Sequence, residues 1–366
     1  MKRILSLLIL FTPLFSFGQF TAIPDANFEQ ALIDLGHDTG TPDGQVLTAN
    51  ISGVTSLVVS NDSISDLTGI EDFAALEELY CVENQLTSLD VTQNTALTYL
   101  DFRGNQLTSL DVTQNIALET LECGTNQLTN LDVTQNTALL ELDCRNNQLT
   151  SLDVTQNTAL YKLWFTTNQL TSLDVTQNTA LRDIEFMNNQ LTSLDVTQNT
   201  ALRGLDCRNN QLTILDLIQN TALTHLECNS NQLTSLDLTQ NTALVSIWCA
   251  GNQLTCLNVK NGNNDTIADF LAFNNPDLTC IEVDDVAWST ANWTVAGGHI
   301  DAGVTFSTNC SNACSGIPTT TEEYSNQPRK LIRILDLLGR ETNFKPNTPL
   351  IYQYDDGSVE KVIREY

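Results

Sequence analysis

The sequence predicts a β-rich solenoid whose turns each add one short strand to a long parallel sheet. The leucine that opens the segment LTSLDVTQNTALTYLDFRGNQ, Leu86, returns at Leu107 and then every 21 residues as far as Leu254. A fixed period of this size is typical of a solenoid, in which each unit buries its apolar face against its neighbours. Within one unit, Leu100 and Phe102 alternate with polar residues, which is the period of a strand.

The spacing Leu97-x-x-Leu100-x-Phe102-x-x-Asn105-x-Leu107 resembles the leucine-rich repeat family, whose signature is L-x-x-L-x-L-x-x-N/C-x-L. The resemblance covers residues 54–283. It implies a curved stack with about eleven parallel strands on its concave side. The segments between strands are too short and polar for stable helices, so we expect little helix outside the N-terminal cap.

One asparagine recurs at a fixed place in each repeat, and we expect these side chains to form an internal ladder. Their amides can pair with backbone groups where the chain leaves each strand, and such groups must be paired once they are buried. The aspartates of the Asp90, Asp111 and Asp132 series are predicted to fix turns. The ladder comprises Asn84, Asn105, Asn126, Asn147, Asn168, Asn189, Asn210, Asn231 and Asn252.

The N-terminal segment differs from the repeats in composition. Residues 1–18 have a basic start, an apolar run and small residues before Gly18, which predicts a secretory signal peptide. Residues 19–53 are predicted to be an N-terminal cap that covers the open end of the core. Phe28, Leu32 and Leu35 have helical spacing there, and Asp25 can cap the start of that helix.

The C-terminal segment divides into a cap, a linker and a tail. Residues 284–314 form the predicted cap, with Trp288 and Trp293 over the last coil, and residues 315–325 have the composition of a linker. Residues 326–366 are predicted to form three or four short strands. Their segments DLLGRE, KPNTP and YDDG resemble the C-terminal sorting domain of the type IX secretion system of Bacteroidetes, in its flavobacterial form. That resemblance implies export to the cell surface or the medium.

The ten cysteines fall into two groups. Six occupy the inward place that Phe102 fills, where adjacent side chains run side by side in poor disulfide geometry, so we expect buried free thiols. In the C-terminal group, Cys280 with Cys310 is the favoured disulfide, and Cys256 with Cys280 is its competitor. The six inward cysteines are Cys81, Cys123, Cys144, Cys207, Cys228 and Cys249; the C-terminal four are Cys256, Cys280, Cys310 and Cys314.

The formal net charge of −28 and the sequence pI near 4.1 exclude some classes of partner. A chain this acidic is a poor candidate for binding nucleic acid or a bare anionic membrane. We expect a monomer whose partner is an extracellular protein, peptide or glycan. Solubility alone also explains the charge.

The outward positions of the strands form columns, which supply the candidate binding residues. The central column is acidic and is interrupted by Trp164 and Trp248, which we expect to be exposed anchors. Arginines two residues after the acids can offset the repulsion between them. No cofactor is predicted, although calcium could bridge adjacent carboxylates. The candidates are Tyr80, Tyr99, Asp101, Arg103, Glu122, Asp143, Arg145, Trp164, Glu185, Asp206, Arg208, Glu227 and Trp248.

Three functions remain open from the sequence. The first is recognition or adhesion through a protein or peptide bound on the concave face, as the resemblance to internalin-like bacterial proteins suggests. The second is carbohydrate binding, with the two indoles stacking on sugar rings. The third is a carboxylate-dependent hydrolase, which is the weakest because no catalytic pair stands out from the repeated acids. His225 beside Glu227 is the one local pairing, and a surface histidine explains it more simply than a catalytic one. We therefore expect no enzyme.

Overall fold

A computed structural model describes residues 18–311, 314, 331–335, 350–354 and 359–362. The chain forms two compact units, Met1–Cys314 and Ser315–Tyr366. The predicted signal peptide as far as residue 17, the predicted linker 315–325, and the sorting-domain segments 336–341 and 345–349 lie outside the described residues.

The N-terminal cap contains a two-stranded antiparallel sheet and two helices. Its elements are β1 (Phe20–Ala22), α1 (Ala26–Asp34), β2 (Gln45–Leu47) and α2 (Thr48–Ile51). The Asp25 carboxylate accepts the N–H groups of Asn27 and Phe28, which fixes the start of α1 as predicted. Phe28 and Leu32 are fully buried and join the solenoid core, so the cap closes its first coil.

The repeats supply strands of three residues each. In chain order they are β3 (Ser56–Val58), β4 (Glu78–Tyr80), β5 (Tyr99–Asp101), β6 (Thr120–Glu122), β7 (Glu141–Asp143), β8 (Lys162–Trp164), β9 (Asp183–Glu185), β10 (Gly204–Asp206), β11 (His225–Glu227), β12 (Ser235–Asp237), β13 (Ser246–Trp248), β14 (Cys256–Asn258), β15 (Asp269–Leu271), β16 (Cys280–Glu282) and β17 (Thr305–Ser307). Short 3₁₀ turns lie at Ile70–Asp72 and Asn264–Thr266.

Eleven of these strands form one parallel sheet, in the order β3 to β11, then β13 and β15. This confirms the predicted solenoid and its number of strands. A second parallel sheet of β12, β14, β16 and β17 forms on another side of the last coils and was not predicted. Leucines and the residues at the inward place, mostly Phe or Cys, stack into one continuous core along the repeats. Leu100, Phe102 and Cys123 are each fully buried.

The predicted asparagine ladder ties three segments of backbone together in each repeat. Asn147 Nδ2 donates to the carbonyl oxygens of Cys123 and Cys144, at 3.0 and 3.1 Å. Its Oδ1 accepts the Leu128 N–H at 2.9 Å. These groups lie where the chain leaves the strand, and no neighbouring strand is available to pair with them. The side-chain amide therefore replaces backbone pairing. The pattern repeats from Asn84 to Asn252.

A second asparagine ladder, which the sequence analysis missed, runs through the DVTQN segments. Asn115 Nδ2 donates to the carbonyl oxygens of Val91 and Asn94, both at 2.9 Å. Its period of 21 residues is the signal that could have revealed it. On the outer surface, Asp111 Oδ1 accepts the N–H and hydroxyl of Thr113, which confirms the expected turn role of this aspartate series. Those hydrogen bonds lower the pKa of the Asp111 carboxyl.

The C-terminal cap consists of α3 (Val286–Asn292) and the aromatic residues around it. Trp293 is 3% exposed and stacks on Phe270, with ring centroids 4.0 Å apart, while Trp288 meets it edge-on. Two disulfides hold the cap. Cys280 pairs with Cys310, the bond favoured by the sequence, and Cys256 pairs with Cys314 rather than with Cys280. The six cysteines of the repeats are buried and free.

The second unit contains three described strands, β18 (Leu331–Leu335), β19 (Leu350–Tyr354) and β20 (Val359–Val362). They form one antiparallel sheet in that order. Three strands at these places agree with the alternation of apolar residues in the tail.

Candidate functional site

The outward side chains of the eleven-stranded sheet form the columns that the repeat spacing predicts. Parallel pairing places Asp101 beside Glu122 and Glu122 beside Asp143. We call this outward side of the sheet the open face. Its central column consists of Tyr80, Asp101, Glu122, Asp143, Trp164, Glu185, Asp206, Glu227 and Trp248, all in one register.

Three strands of the open face carry an aspartate followed two residues later by an arginine, and each pair makes the same two-pronged contact. Arg103 Nε donates to Asp101 Oδ1 at 3.0 Å, and its Nη2 donates to Oδ2 at 2.7 Å. This bidentate geometry fixes the plane of the guanidinium as well as its position. The other pairs are Asp143–Arg145 and Asp206–Arg208.

These contacts bury the acids that the sequence analysis expected to be exposed. Asp101 and Asp143 are only 2% and 3% exposed because a guanidinium lies over each. The arginine side chains retain 28 to 39% exposure. The hydrogen bonds to aspartate raise the pKa of all three arginines. Over these strands, therefore, the open face presents guanidinium groups above carboxylates that are largely covered, rather than a bare acidic strip.

The glutamates of the central column differ in their partners. Glu122 forms an ion pair with Arg103 at 2.7 Å and accepts the Tyr99 hydroxyl at 3.0 Å. Glu227 Oε2 lies 2.9 Å from a guanidinium nitrogen of Arg208, at an angle outside the hydrogen-bond range. The Glu185 carboxylate has no hydrogen bond among the described residues and lies 3.9 Å from Arg145. Burial raises the pKa of all three carboxyls, and the nearby arginines partly oppose it.

The expectation that the two indoles are exposed is wrong. Trp164 and Trp248 are half-buried, and the indole nitrogen of each is buried without a hydrogen-bond partner in the described chain. The guanidinium of Arg145 lies 4.9 Å from the Trp164 ring and the ammonium of Lys162 lies 5.2 Å from it. Arg208 covers Trp248 in the same way at 5.6 Å. The indoles therefore support the cations above them and do not offer a free stacking surface.

Aromatic residues do reach the surface at the N-terminal end of the open face. Tyr80 and Tyr99 stack with ring centroids 4.8 Å apart. Val58, in register with Tyr80 on β3, is 54% exposed. Burial raises the pKa of the Tyr99 hydroxyl, so it stays a hydrogen-bond donor to Glu122 at neutral pH.

A depression of about 600 Å³ runs beside the central column. The three arginines line it, together with the uncharged residues that take the arginine position in the intervening strands. Those uncharged residues are Gly124, Thr166 and Met187. The sequence analysis did not select them, although the interruption of the arginine column at these places was visible in the sequence.

The repeated acids of the described chain do not gather into a cluster that could hold a metal ion. No group of three or more metal-ligating side chains is present there. Arg103 pairs with both Asp101 and Glu122, at 2.7 Å in each case. His225 is exposed and contacts the Thr224 hydroxyl at 2.9 Å, not a carboxylate.

Comparison with known proteins gives the family. No protein-family model matches the chain. The functional domain of internalin J from Listeria monocytogenes, which includes a cysteine ladder, has 34% identical residues and a TM-score of 0.59, over 73% of this chain and 68% of that domain. The chain belongs to the internalin-like leucine-rich repeat proteins. Among the described residues, no helix of this internalin-like protein is long and apolar enough to cross a bilayer.

Two further similarities have narrower scope. A stretch of 45 residues is 47% identical to internalin J of Listeria monocytogenes serotype 4b (strain F2365), which is 12% of this internalin-like chain but only 5% of that relative. A leucine-rich repeat protein of Leptospira interrogans is 25% identical with a TM-score of 0.54, over 65% of this chain and 62% of the other.

The raised pKa of Glu185 predicts a pH-dependent effect of removing its charge. When folding raises the pKa of a carboxyl, the protonated form stabilises the fold. That stabilisation is complete below the pKa of the unfolded chain, about 4.3, and it is lost as the pH rises through the pKa of the folded state. We therefore expect Glu185→Gln to raise the free energy of unfolding at pH 7 by less than about 1 kcal/mol, since the side chain is 40% exposed.

Urea unfolding at pH 7 and pH 3.5 measures this effect. The gain should disappear at the lower pH, and Glu119→Gln, at an exposed position before β6, should show no gain at either pH. An equal gain for Glu185→Gln at both pH values would contradict the raised pKa of this carboxyl.

Proposed function

We propose that this protein is an extracellular recognition protein that binds a protein or peptide on the open face of its long sheet, the concave side of the predicted curved stack. The observation that carries the proposal is the set of three rigid arginines around the depression. Each guanidinium is held by two side-chain hydrogen bonds to an aspartate and remains partly exposed, and two of these aspartates, Asp101 and Asp143, are buried. Side chains fixed in this way lose little conformational freedom on binding, which favours affinity.

The composition of the open face agrees with such a role. Arginine and tyrosine are enriched at the centres of protein interfaces, and they are the residues that break the repeat here. The stacked pair Tyr80–Tyr99, the exposed Val58 and the depression lie on one continuous surface. The family relationship supports a repeat scaffold for binding, while the identity of the partner is our proposal.

The geometry favours this function over carbohydrate binding. A sugar that stacks on tryptophan needs an uncovered indole, whereas cations lie over both Trp164 and Trp248. A hydrolase is the weakest alternative, because the carboxylates with the closest partners are held by arginines and none is arranged as an acid–base pair. Calcium bound between carboxylates stays a secondary possibility.

The binding proposal predicts that filling the depression abolishes binding. Thr166→Arg places an arginine in the same column as Arg145 and Arg208, so the sheet should accept it while the depression is filled. Gln156→Arg introduces the same side chain at an exposed position in a DVTQN segment, outside the sheet. Surface proteins from the native environment would be captured on full-length wild type and both variants and compared by quantitative mass spectrometry.

We expect a set of proteins that wild type and Gln156→Arg both enrich. Their enrichment should fall at least tenfold with Thr166→Arg. Equal enrichment by all three proteins would place the contact elsewhere and overturn the proposal. A glycan array run in parallel tests the alternative: glycan binding that Thr166→Arg abolishes would favour the carbohydrate function.

We also propose that the chain reaches its site of action by type IX export, with the N-terminal segment directing passage of the inner membrane and residues 326–366 directing passage of the outer membrane. Removal of residues 326–366 should leave the protein in the periplasm, as judged by protease accessibility on intact cells. Unchanged surface exposure of the shortened chain would contradict this route.

A further inference from the structure

The pair Asp143–Arg145 differs from the other two aspartate–arginine pairs. The difference is the central-column residue on the next strand of the sheet. After Asp101–Arg103 and after Asp206–Arg208, the next strand carries a glutamate there, and the arginine reaches it at 2.7 and 2.9 Å. After Asp143–Arg145 the next strand carries Trp164 instead. The next glutamate of the column is therefore Glu185, two strands away.

This substitution separates a donor from an acceptor. Arg145 Nη1 lies 3.9 Å from Glu185 Oε2, which is too far for a hydrogen bond. Among the described residues neither Arg145 Nη1 nor the Glu185 carboxylate has a hydrogen-bond partner. Both groups line the depression, together with Thr166 and Met187.

Arg145 is prevented from closing that gap. Its Nε and Nη2 donate to Asp143 at 3.0 and 2.7 Å, and its guanidinium lies over the Trp164 ring. Swinging toward Glu185 would break both contacts and leave the buried Asp143 carboxylate, 3% exposed, without its partner. An unpaired buried charge is costly, so the guanidinium keeps its place and Nη1 stays directed toward the gap.

We propose that Arg145 and Glu185 form a subsite for a carboxamide of a bound peptide, the side chain of asparagine or glutamine. The inference rests on the proposed function and specifies its ligand chemistry. A carboxamide carries an acceptor oxygen and a donor nitrogen side by side. The oxygen accepts from Arg145 Nη1 while the nitrogen donates to Glu185 Oε2, and both orphan groups are satisfied by one neutral ligand group.

The opposite charges of Arg145 and Glu185 favour a neutral amide over a carboxylate or an ammonium group. A carboxylate would be attracted by Arg145 but would face Glu185 without a proton to share. An ammonium group would pair with Glu185 but would be repelled by Arg145, which has no acceptor to offer it. Discrimination of this kind arises because the wrong ligand leaves a polar group of the site unpaired.

The test uses a phage-displayed library of random dodecapeptides as the probe and the full-length chain as the target. Peptides selected on wild type should share an asparagine or glutamine at one position. Replacing that residue by aspartate or glutamate in the synthetic peptide should weaken binding about tenfold, the loss expected for one hydrogen-bonded group left unpaired.

Glu185→Lys should reverse this preference, because two cations would then face the ligand and select the acidic peptide. Asp265→Lys makes the same change of charge at an exposed position away from the open face and should leave the preference unaltered. Glu185→Ala is the companion variant in case the lysine impairs folding, as monitored by circular dichroism. It should abolish the preference for the amide peptide, because Arg145 alone attracts the carboxylate of the acid peptide.

The outcomes separate the two proposals. Suppose that peptide binding is lost with Thr166→Arg. If those peptides show no amide preference, or if their preference survives Glu185→Lys, the subsite is overturned and the recognition function stands. Failure to select any peptide that depends on the open face would overturn both. Binding restricted to N-acetylated glycans would also overturn the peptide subsite, since it assigns the amide to another class of ligand.

Discussion

The structure depends on the hydrogen bonds that a buried asparagine side chain makes in each repeat. A three-residue strand ends abruptly, and its carbonyl groups then turn into the core with no neighbouring strand to pair with. One amide donates to two of these carbonyls and accepts one N–H, as Asn147 does for Cys144, Cys123 and Leu128. Because these bonds join successive repeats, the ladder also holds adjacent turns in register.

Fixed register is what makes the open face a surface with definable positions. Each residue of the central column stands beside its counterpart from the previous repeat, so one substitution changes one place on a regular lattice. Aspartate and arginine two residues apart produce a rigid, partly exposed guanidinium. Where a tryptophan replaces the following glutamate, as at Trp164, a donor and an acceptor stand 3.9 Å apart without a hydrogen bond between them. Recognition can thus be built by small departures from a repeat whose core does not change.

Much of this could be predicted from the sequence, because periodic positions translate directly into columns. The eleven strands, the first asparagine ladder and the pairing of acids with arginines all follow from spacing alone. The burial of the indoles could not be predicted, since it depends on where arginines from earlier strands come to rest over Trp164 and Trp248. The Cys256–Cys314 disulfide spans 58 residues, and its geometry arises only once the cap has folded back.

The most direct test of the account removes one rung of the ladder. Asn147→Ala leaves an N–H and two carbonyl groups without their side-chain partner, and urea unfolding of the full-length chain should show a loss of about 3 kcal/mol. Gln148→Ala, at the adjacent exposed position, should change stability by less than about 0.5 kcal/mol. Equal stability of the two variants would contradict the claim that the buried amides hold the repeats together.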